Sequence, residues 1–200
     1  MGKELWDNGN MKKVLYLMRH GETLFNVQRK IQGWCDSPLT ENGKKQALNI
    51  KKQLEEKMIS FDHVYTSTSE RCCDTVELIT NQSYTRLKGI KEVNHGTLEG
   101  ESEDLNPDSL EEYENFFVQY GGESIFDVRQ RMNETLTAIM EKEDHKQVLV
   151  VSHAGACMNF LMSQQIDLFK MKKPFKNCTV VVLEYEDHQF KLVNILVPEI

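Results

Sequence analysis

The 200-residue chain is expected to adopt an α/β fold, a three-layer sandwich whose mostly parallel central sheet is flanked by helices. Three observations predict it. Short apolar runs, such as residues 14–18 and 148–152, alternate with longer amphipathic stretches, which is the pattern of strands joined by helical crossovers. The runs are continuously apolar, as strands buried on both faces are. Two of them lead into a histidine, His20 and His153, and open α/β sheets bind ligands beyond the carboxyl ends of their strands.

Residues 14–18 read as a buried strand running into Arg19-His20-Gly21. Thr40 is a good N-cap for a helix with Ala47, Ile50, Leu54 and Met58 on one face. Residues 63–67 read as a second strand, and 69–80 as a helix with Cys72, Val76 and Ile79 inward. Residues 84–88 make a weak strand, the polar and Gly-containing stretch 91–109 a loop, and 110–120 a short helix with aromatic residues. Gly121-Gly122-Glu123-Ser124 opens a long helix through Ile125, Val128, Met132, Leu136 and Ile139. A strand over 148–152 meets His153-Ala154-Gly155, followed by a helix over 156–163. Residues 179–185 and 189–196 close the sheet, with Asp187-His188 as their turn.

Hydrophobic residues make up 40% and charged residues 28%, a globular composition that argues against disorder. With no repeat or low-complexity linker, residues 13–200 are expected to form one domain, preceded by a tail over 1–12. The net charge of -7 disfavours nucleic acid and anionic membranes as partners. No apolar run is long enough to cross a bilayer, and the polar residues 1–10 carry no secretory signal, so a cytoplasmic location is expected. The five cysteines (Cys35, Cys72, Cys73, Cys157 and Cys178) are odd in number and spaced for neither zinc nor a disulfide framework. No histidine pair has zinc spacing on a helix, and neither a P-loop nor a dinucleotide glycine pattern occurs. No metal and no cofactor are expected.

His20, Arg71 and His153 each follow a predicted strand, so the topology brings them to one sheet edge. Leu17-Met18-Arg19-His20-Gly21-Glu22-Thr23, with Asn26 beyond, resembles the signature of the histidine phosphatase superfamily, the phosphoglycerate mutase-like proteins. The resemblance continues in order through Gln32-Gly33, Ser37-Pro38-Leu39-Thr40, Ser67-Thr68-Ser69-Glu70-Arg71 with Thr75, Glu92 with Gly96, Glu99 and Gly100, Gly122-Glu123-Ser124, and Val151-Ser152-His153-Ala154-Gly155.

The resemblance implies a phosphoglycerate mutase-like fold and a phosphoryl group carried on His20. Arg19 and Arg71 would clamp the phosphoryl oxygens, which suits forked, permanently charged guanidinium groups. A neutral imidazole is a competent nucleophile near neutral pH, and a backbone carbonyl is expected to hold the other ring nitrogen of His20 as N–H. His153 would stabilise developing charge on the phosphoryl oxygens. The family match supplies Glu92 as proton donor; the residues alone do not separate it from Glu99 or Glu101. Thr23, Asn26, Gln32, Gly33 and the N–H of Ala154 are expected as substrate contacts. His63, His145 and His188 are expected at the surface, and His95 either lines the pocket mouth or is exposed.

The chain departs from the family at Ala154, where relatives carry glycine, and at Cys72-Cys73-Asp74-Thr75, where they carry Ala-x-x-Thr. Its acid loop reads Lys91-Glu92-Val93-Asn94-His95-Gly96, unlike the Glu-Arg-His-Tyr-Gly loop of the longer glycolytic mutases. The expected activity is therefore hydrolysis of small phosphomonoesters, the partner a small phosphorylated metabolite. Cofactor-dependent phosphoglycerate mutase activity and phospho-ligand binding without turnover are the alternatives. Specificity is expected from residues 99–109 and from Tyr113, Phe116 and Phe117. A homo-oligomer is allowed, and the sequence does not decide it.

Overall fold

The structure is a computed structural model that describes residues 6, 7, 10–168, 172 and 175–199. Its strands are β1 (Trp6–Asp7), β2 (Asn10–Met11), β3 (Lys13–Arg19), β4 (His63–Ser67), β5 (Thr85–Leu87), β6 (Gln147–Ser152), β7 (Val180–Glu186) and β8 (Gln189–Leu196). The helices are α1 (Leu24–Val27), α2 (Glu41–Glu56), α3 (Glu70–Ile79), α4 (Leu110–Tyr113), α5 (Ile125–Met140) and α6 (Ala154–Ser163). Six strands form one mixed sheet in the order β5-β4-β6-β3-β7-β8. The first four run parallel, and β7 pairs antiparallel with both β3 and β8, so the sheet is mostly parallel, as the alternation of elements predicts.

Strand β3 shows why a continuous apolar run is needed. Its side chains alternate between faces. Leu15 and Leu17 pack into a core with Val128, Met132 and Leu136 of α5 and Phe160 of α6. Val14, Tyr16 and Met18 pack into a second core with Ala47, Ile50 and Leu54 of α2 and Val76 of α3. Helices thus cover both faces, and only the sheet's ends are left for a site.

Local signals set most helix starts. Thr40 accepts a hydrogen bond from Gly43 N, and Ser124 one from Asp127 N, each satisfying an amide of the first turn. Helix α6 begins two residues earlier than expected, because the extended His153 serves as its N-cap. Helix α2 ends at Glu56, and Met58 has φ 53° and is 90% exposed. The predicted apolar face therefore stops at Leu54, since the chain has left the helix before Met58. Residues 110–120 are divided between one turn of α4 and a 3-10 turn, Phe116–Tyr120. The polar stretch 91–109 contains two further 3-10 turns, Gly96–Leu98 and Glu103–Leu105. In the stretch expected as a tail, β1 and β2 pair antiparallel, and Lys12 Nζ meets Glu184 Oε1 at 2.6 Å. Among the described residues no helix is long and apolar enough to cross a membrane.

Candidate active site

Strands β3 and β6 are parallel neighbours in the register Arg19↔Ser152. The residues that follow, His20 and His153, therefore lie side by side at the carboxyl edge, with ring centroids 5.3 Å apart. His20 is buried. Its Nδ1 lies 2.8 Å from the Gly21 carbonyl oxygen. A carbonyl can only accept, so Nδ1 carries the proton and Nε2 keeps its lone pair. Burial, with Arg71 and Arg19 adding to it, holds this imidazole well below the ordinary value of 6.5. His20 is neutral.

His153 is completely buried. Its Nδ1 accepts from Arg71 Nη2 at 2.8 Å, which places the proton on Nε2, 2.7 Å from Ser67 Oγ. Burial and the Arg71 charge push this imidazole far down as well. Arg71, from the first turn of α3, is also fully buried. It donates through Nη1 to Cys35 O and Asp36 Oδ1, both at 2.9 Å, and through Nη2 to Gly33 O at 2.7 Å. Arg19 donates through Nη1 to Phe175 O at 3.0 Å. The Nε atoms of both arginines are buried with no partner. An unsatisfied buried donor costs about 1–3 kcal/mol, and of the two arginines Arg19 is the one that borders the cavity of the site.

Glu92 is buried at the N-terminus of α6. Its Oε1 accepts from Val93 N at 2.9 Å and Ala156 N at 2.7 Å; its Oε2 accepts from Gly155 N at 2.9 Å. The close approach requires Gly155, since a Cβ there would lie 2.7 Å from Glu92 Oε1.

Arg19, His20, Asn26, Gln32, Glu92 and Ala154 line one cavity of about 160 Å³. Arg71 and His153 sit behind it, with no exposed surface of their own. Thr23 and Gly33 build its wall instead of lining it. Thr23 caps α1, and its hydroxyl donates to Gln32 Oε1 at 2.7 Å. Gly33 is bonded through its carbonyl to Arg71 and through its N–H to Glu99. A Cβ at Gly33 would overlap the Val93 carbonyl, the Glu99 carboxylate and the His95 ring. Gly33→Ala is expected to destabilise the fold by about 1–3 kcal/mol, read as a lower urea midpoint at unchanged slope; an unchanged midpoint would contradict this packing.

Of the residues expected to set specificity, Glu103, Asn106 and Tyr113 line the same cavity. Lys30 lines it too and escaped sequence reasoning, since nothing local marks it. Glu99 accepts from the amides of Gly33, Trp34, Cys35 and His95 at 2.8–3.0 Å. Burial alone would raise its pKa, but the Cys35 thiol and the amides of His95, Cys35 and Trp34 hold the Glu99 carboxylate below its ordinary range. His95 lines the pocket, buried edge-on against Phe117 at 4.4 Å.

At the opposite end of the sheet, His145 is buried, contrary to the surface position expected for it. It stacks on His63 at 3.6 Å and 12° and bonds to Tyr65 and Asp144. Asp144 also pairs with His63. In this group the two ring planes are nearly parallel, so the imidazole lone pairs do not converge on one point. Its hydrogen bonds and ring stacking tie β4 to the turn before β6.

The fold and the paired histidines at the sheet edge define a phosphoglycerate mutase-like α/β protein. Residues 15–197 match the model of the histidine phosphatase superfamily (branch 1). The chain belongs to this superfamily of phosphatases and phosphoglycerate mutases. It is 31% identical over 193 residues to "Probable phosphoglycerate mutase GpmB" of Escherichia fergusonii, covering 88% of this chain and 86% of that one. Among solved structures it is similar to a phosphoglycerate mutase from Bacillus anthracis, with TM-score 0.77 and 26% identity over 91% of this chain and 92% of that one. A mutant phosphoserine phosphatase from Entamoeba histolytica in complex with phosphoserine matches with TM-score 0.75 and 26% identity over 92% and 96% of the two chains.

Proposed function

We propose that the protein is a phosphatase that hydrolyses small phosphomonoesters through a phosphohistidine on His20, with Glu92 as proton donor. The observation that carries this reading is the contact of His20 Nδ1 with the Gly21 carbonyl, which leaves Nε2 as the nitrogen to attack. That lone pair attacks phosphorus as the ester P–O bond breaks. Glu92 gives its proton to the leaving oxygen. Oε2 has a single amide partner, so it has a lone pair to carry that proton. In the second half, water attacks phosphorus, Glu92 takes its proton back, and the P–N bond breaks to release phosphate and neutral His20. The Arg19 guanidinium meets the charge spread over the three equatorial oxygens, with the Arg71 charge acting from behind the cavity wall. His153 is held neutral there, and Asn26, Gln32 and the Ala154 N–H complete the substrate contacts. The charge compensation in this scheme comes from protein groups, so turnover is expected to survive a chelator.

The relative named as a probable mutase favours a second reading. A mutase reaches the same phosphohistidine and passes the phosphoryl to a second hydroxyl instead of water. The deciding experiment is phosphate release from a panel of phosphomonoesters in the presence of chelator, with phosphoglycerate and its bisphosphate included. Release that survives chelator supports the phosphatase and names its substrate class. Isomerisation of phosphoglycerate without release would make it a mutase, and silence in both assays would leave a binding role.

The neutrality of His20 has its own test. Phosphomonoesters themselves titrate near about pH 6, so a rate profile would mix the two ionisations. NMR titration of the imidazole isolates His20. Its midpoint is expected well below 6.5, because burial and two neighbouring guanidinium groups oppose protonation. A midpoint at or above 6.5 would contradict the site as described.

A further inference from the structure

The backbone of Glu92 is held from outside the cavity. Arg131, on α5, has five N–H donors, and each has its own acceptor. Nε donates to Glu123 Oε1 at 2.8 Å and Nη2 to Glu123 Oε2 at 2.9 Å. Nη1 donates to Gly89 O at 3.0 Å and Lys91 O at 2.6 Å, and Nη2 to Glu92 O at 2.8 Å. Glu123 also grips the loop directly, accepting from Asn94 N and donating its own N–H to Asn94 O, both at 2.9 Å. Arg131 and Glu123 thus fasten residues 89–94 to the start of α5. Neither residue lines the cavity.

We infer that Arg131, oriented by Glu123, is a positioning residue for Glu92, setting where its carboxyl stands relative to the leaving oxygen. The inference rests on Glu92 being the proton donor. The carboxyl is fixed at two ends: its oxygens by the amides at the start of α6, and its backbone by Arg131. Only a planar fork can serve two carboxylate oxygens and three carbonyls together; a lysine ammonium has three donors on a single point and cannot. Arg131 therefore matters for its geometry more than for its charge.

The test uses Arg131→Lys, Glu123→Gln, Glu92→Gln and the double variant Arg131→Lys/Glu92→Gln. Each is assayed on an alkyl phosphate, which needs a proton on its leaving oxygen, and on p-nitrophenyl phosphate, which needs little. Arg131→Lys is expected to lower kcat on the alkyl ester about 10²-fold, the scale of an error of about 1 Å in placing a reacting group. On the aryl ester it should stay within about threefold. Because Arg131 acts through Glu92, the double variant should be no slower on the alkyl ester than Glu92→Gln alone. If Arg131→Lys does not fold, Glu123→Gln carries the same test, since it keeps the shape of the carboxylate and removes one half of the fork. Equal losses on both esters, or a double variant slower than Glu92→Gln by the full Arg131→Lys factor, would overturn the inference. If Glu92→Gln shows the selective loss and neither Arg131→Lys nor Glu123→Gln does, the positioning role alone falls. If Glu92→Gln itself lacks the selective loss, the proton-donor assignment fails and the inference falls with it.

Discussion

His20→Ala is expected to lower turnover by at least about 10⁴-fold while the protein stays folded. No other side chain at the site can replace the nucleophile. His153 has both ring nitrogens engaged, by Arg71 and Ser67. The neighbouring thiols are inert: burial pushes Cys157 up to about 12 and Cys72 well above its ordinary value, and a thiol attacks only as the thiolate. The fold should survive because His20 lies at the end of β3, outside both apolar cores. Measuring phosphate release beside thermal unfolding separates the two effects. A phosphoenzyme trapped in the parent and absent from His20→Ala would place the phosphoryl group on this residue; hydrolysis retained in the variant would sink the mechanism.

The parts of this site that sequence could predict are those built by short-range rules. A continuous apolar run ending in Arg19-His20-Gly21 implies a buried strand with a histidine at its carboxyl end, and two such strands side by side imply two adjacent histidines. The backbone carbonyl on the second nitrogen of His20 was also foreseeable, because a nucleophilic imidazole needs its tautomer fixed. Long-range closure was not. The residues alone leave Glu92, Glu99 and Glu101 equivalent, but in the folded chain Glu92 faces the cavity from the start of α6, Glu99 is occupied by four amides, and Glu101 is exposed. Arg71 was expected only as a clamp. Its η nitrogens instead brace the loop 33–36 and His153, which buries it behind the cavity. Those partners are more than thirty residues away in sequence, so no local pattern points to them. His145 misled for a related reason: flanked by charged Asp144 and Lys146, it looks exposed, and only the neighbouring strand brings Tyr65 and His63 over it.

Glu92→Gln is expected to slow alkyl phosphates about 10²–10⁴-fold more than activated aryl phosphates, the usual contribution of a general acid. Glutamine has almost the same shape, so it can still fill the space at the start of α6. Its carbonyl oxygen can accept from Gly155 N or from Ala156 N, but its NH₂ group cannot accept, which leaves at least one amide there without its partner. That defect affects every ester alike and therefore sets a common factor in the rates. What glutamine lacks in addition is a transferable proton. An alkoxide is a poor leaving group and must be protonated as the P–O bond breaks; a nitrophenolate departs without help. The ratio of the two losses therefore measures proton transfer with the structural defect divided out. A plot of rate against leaving-group basicity should be shallow in the parent and steep in Glu92→Gln. Parallel lines would mean that Glu92 only shapes the cavity, and the acid would then have to be sought among the other ionisable groups lining it, of which Glu103 is the one remaining carboxylate among the described residues.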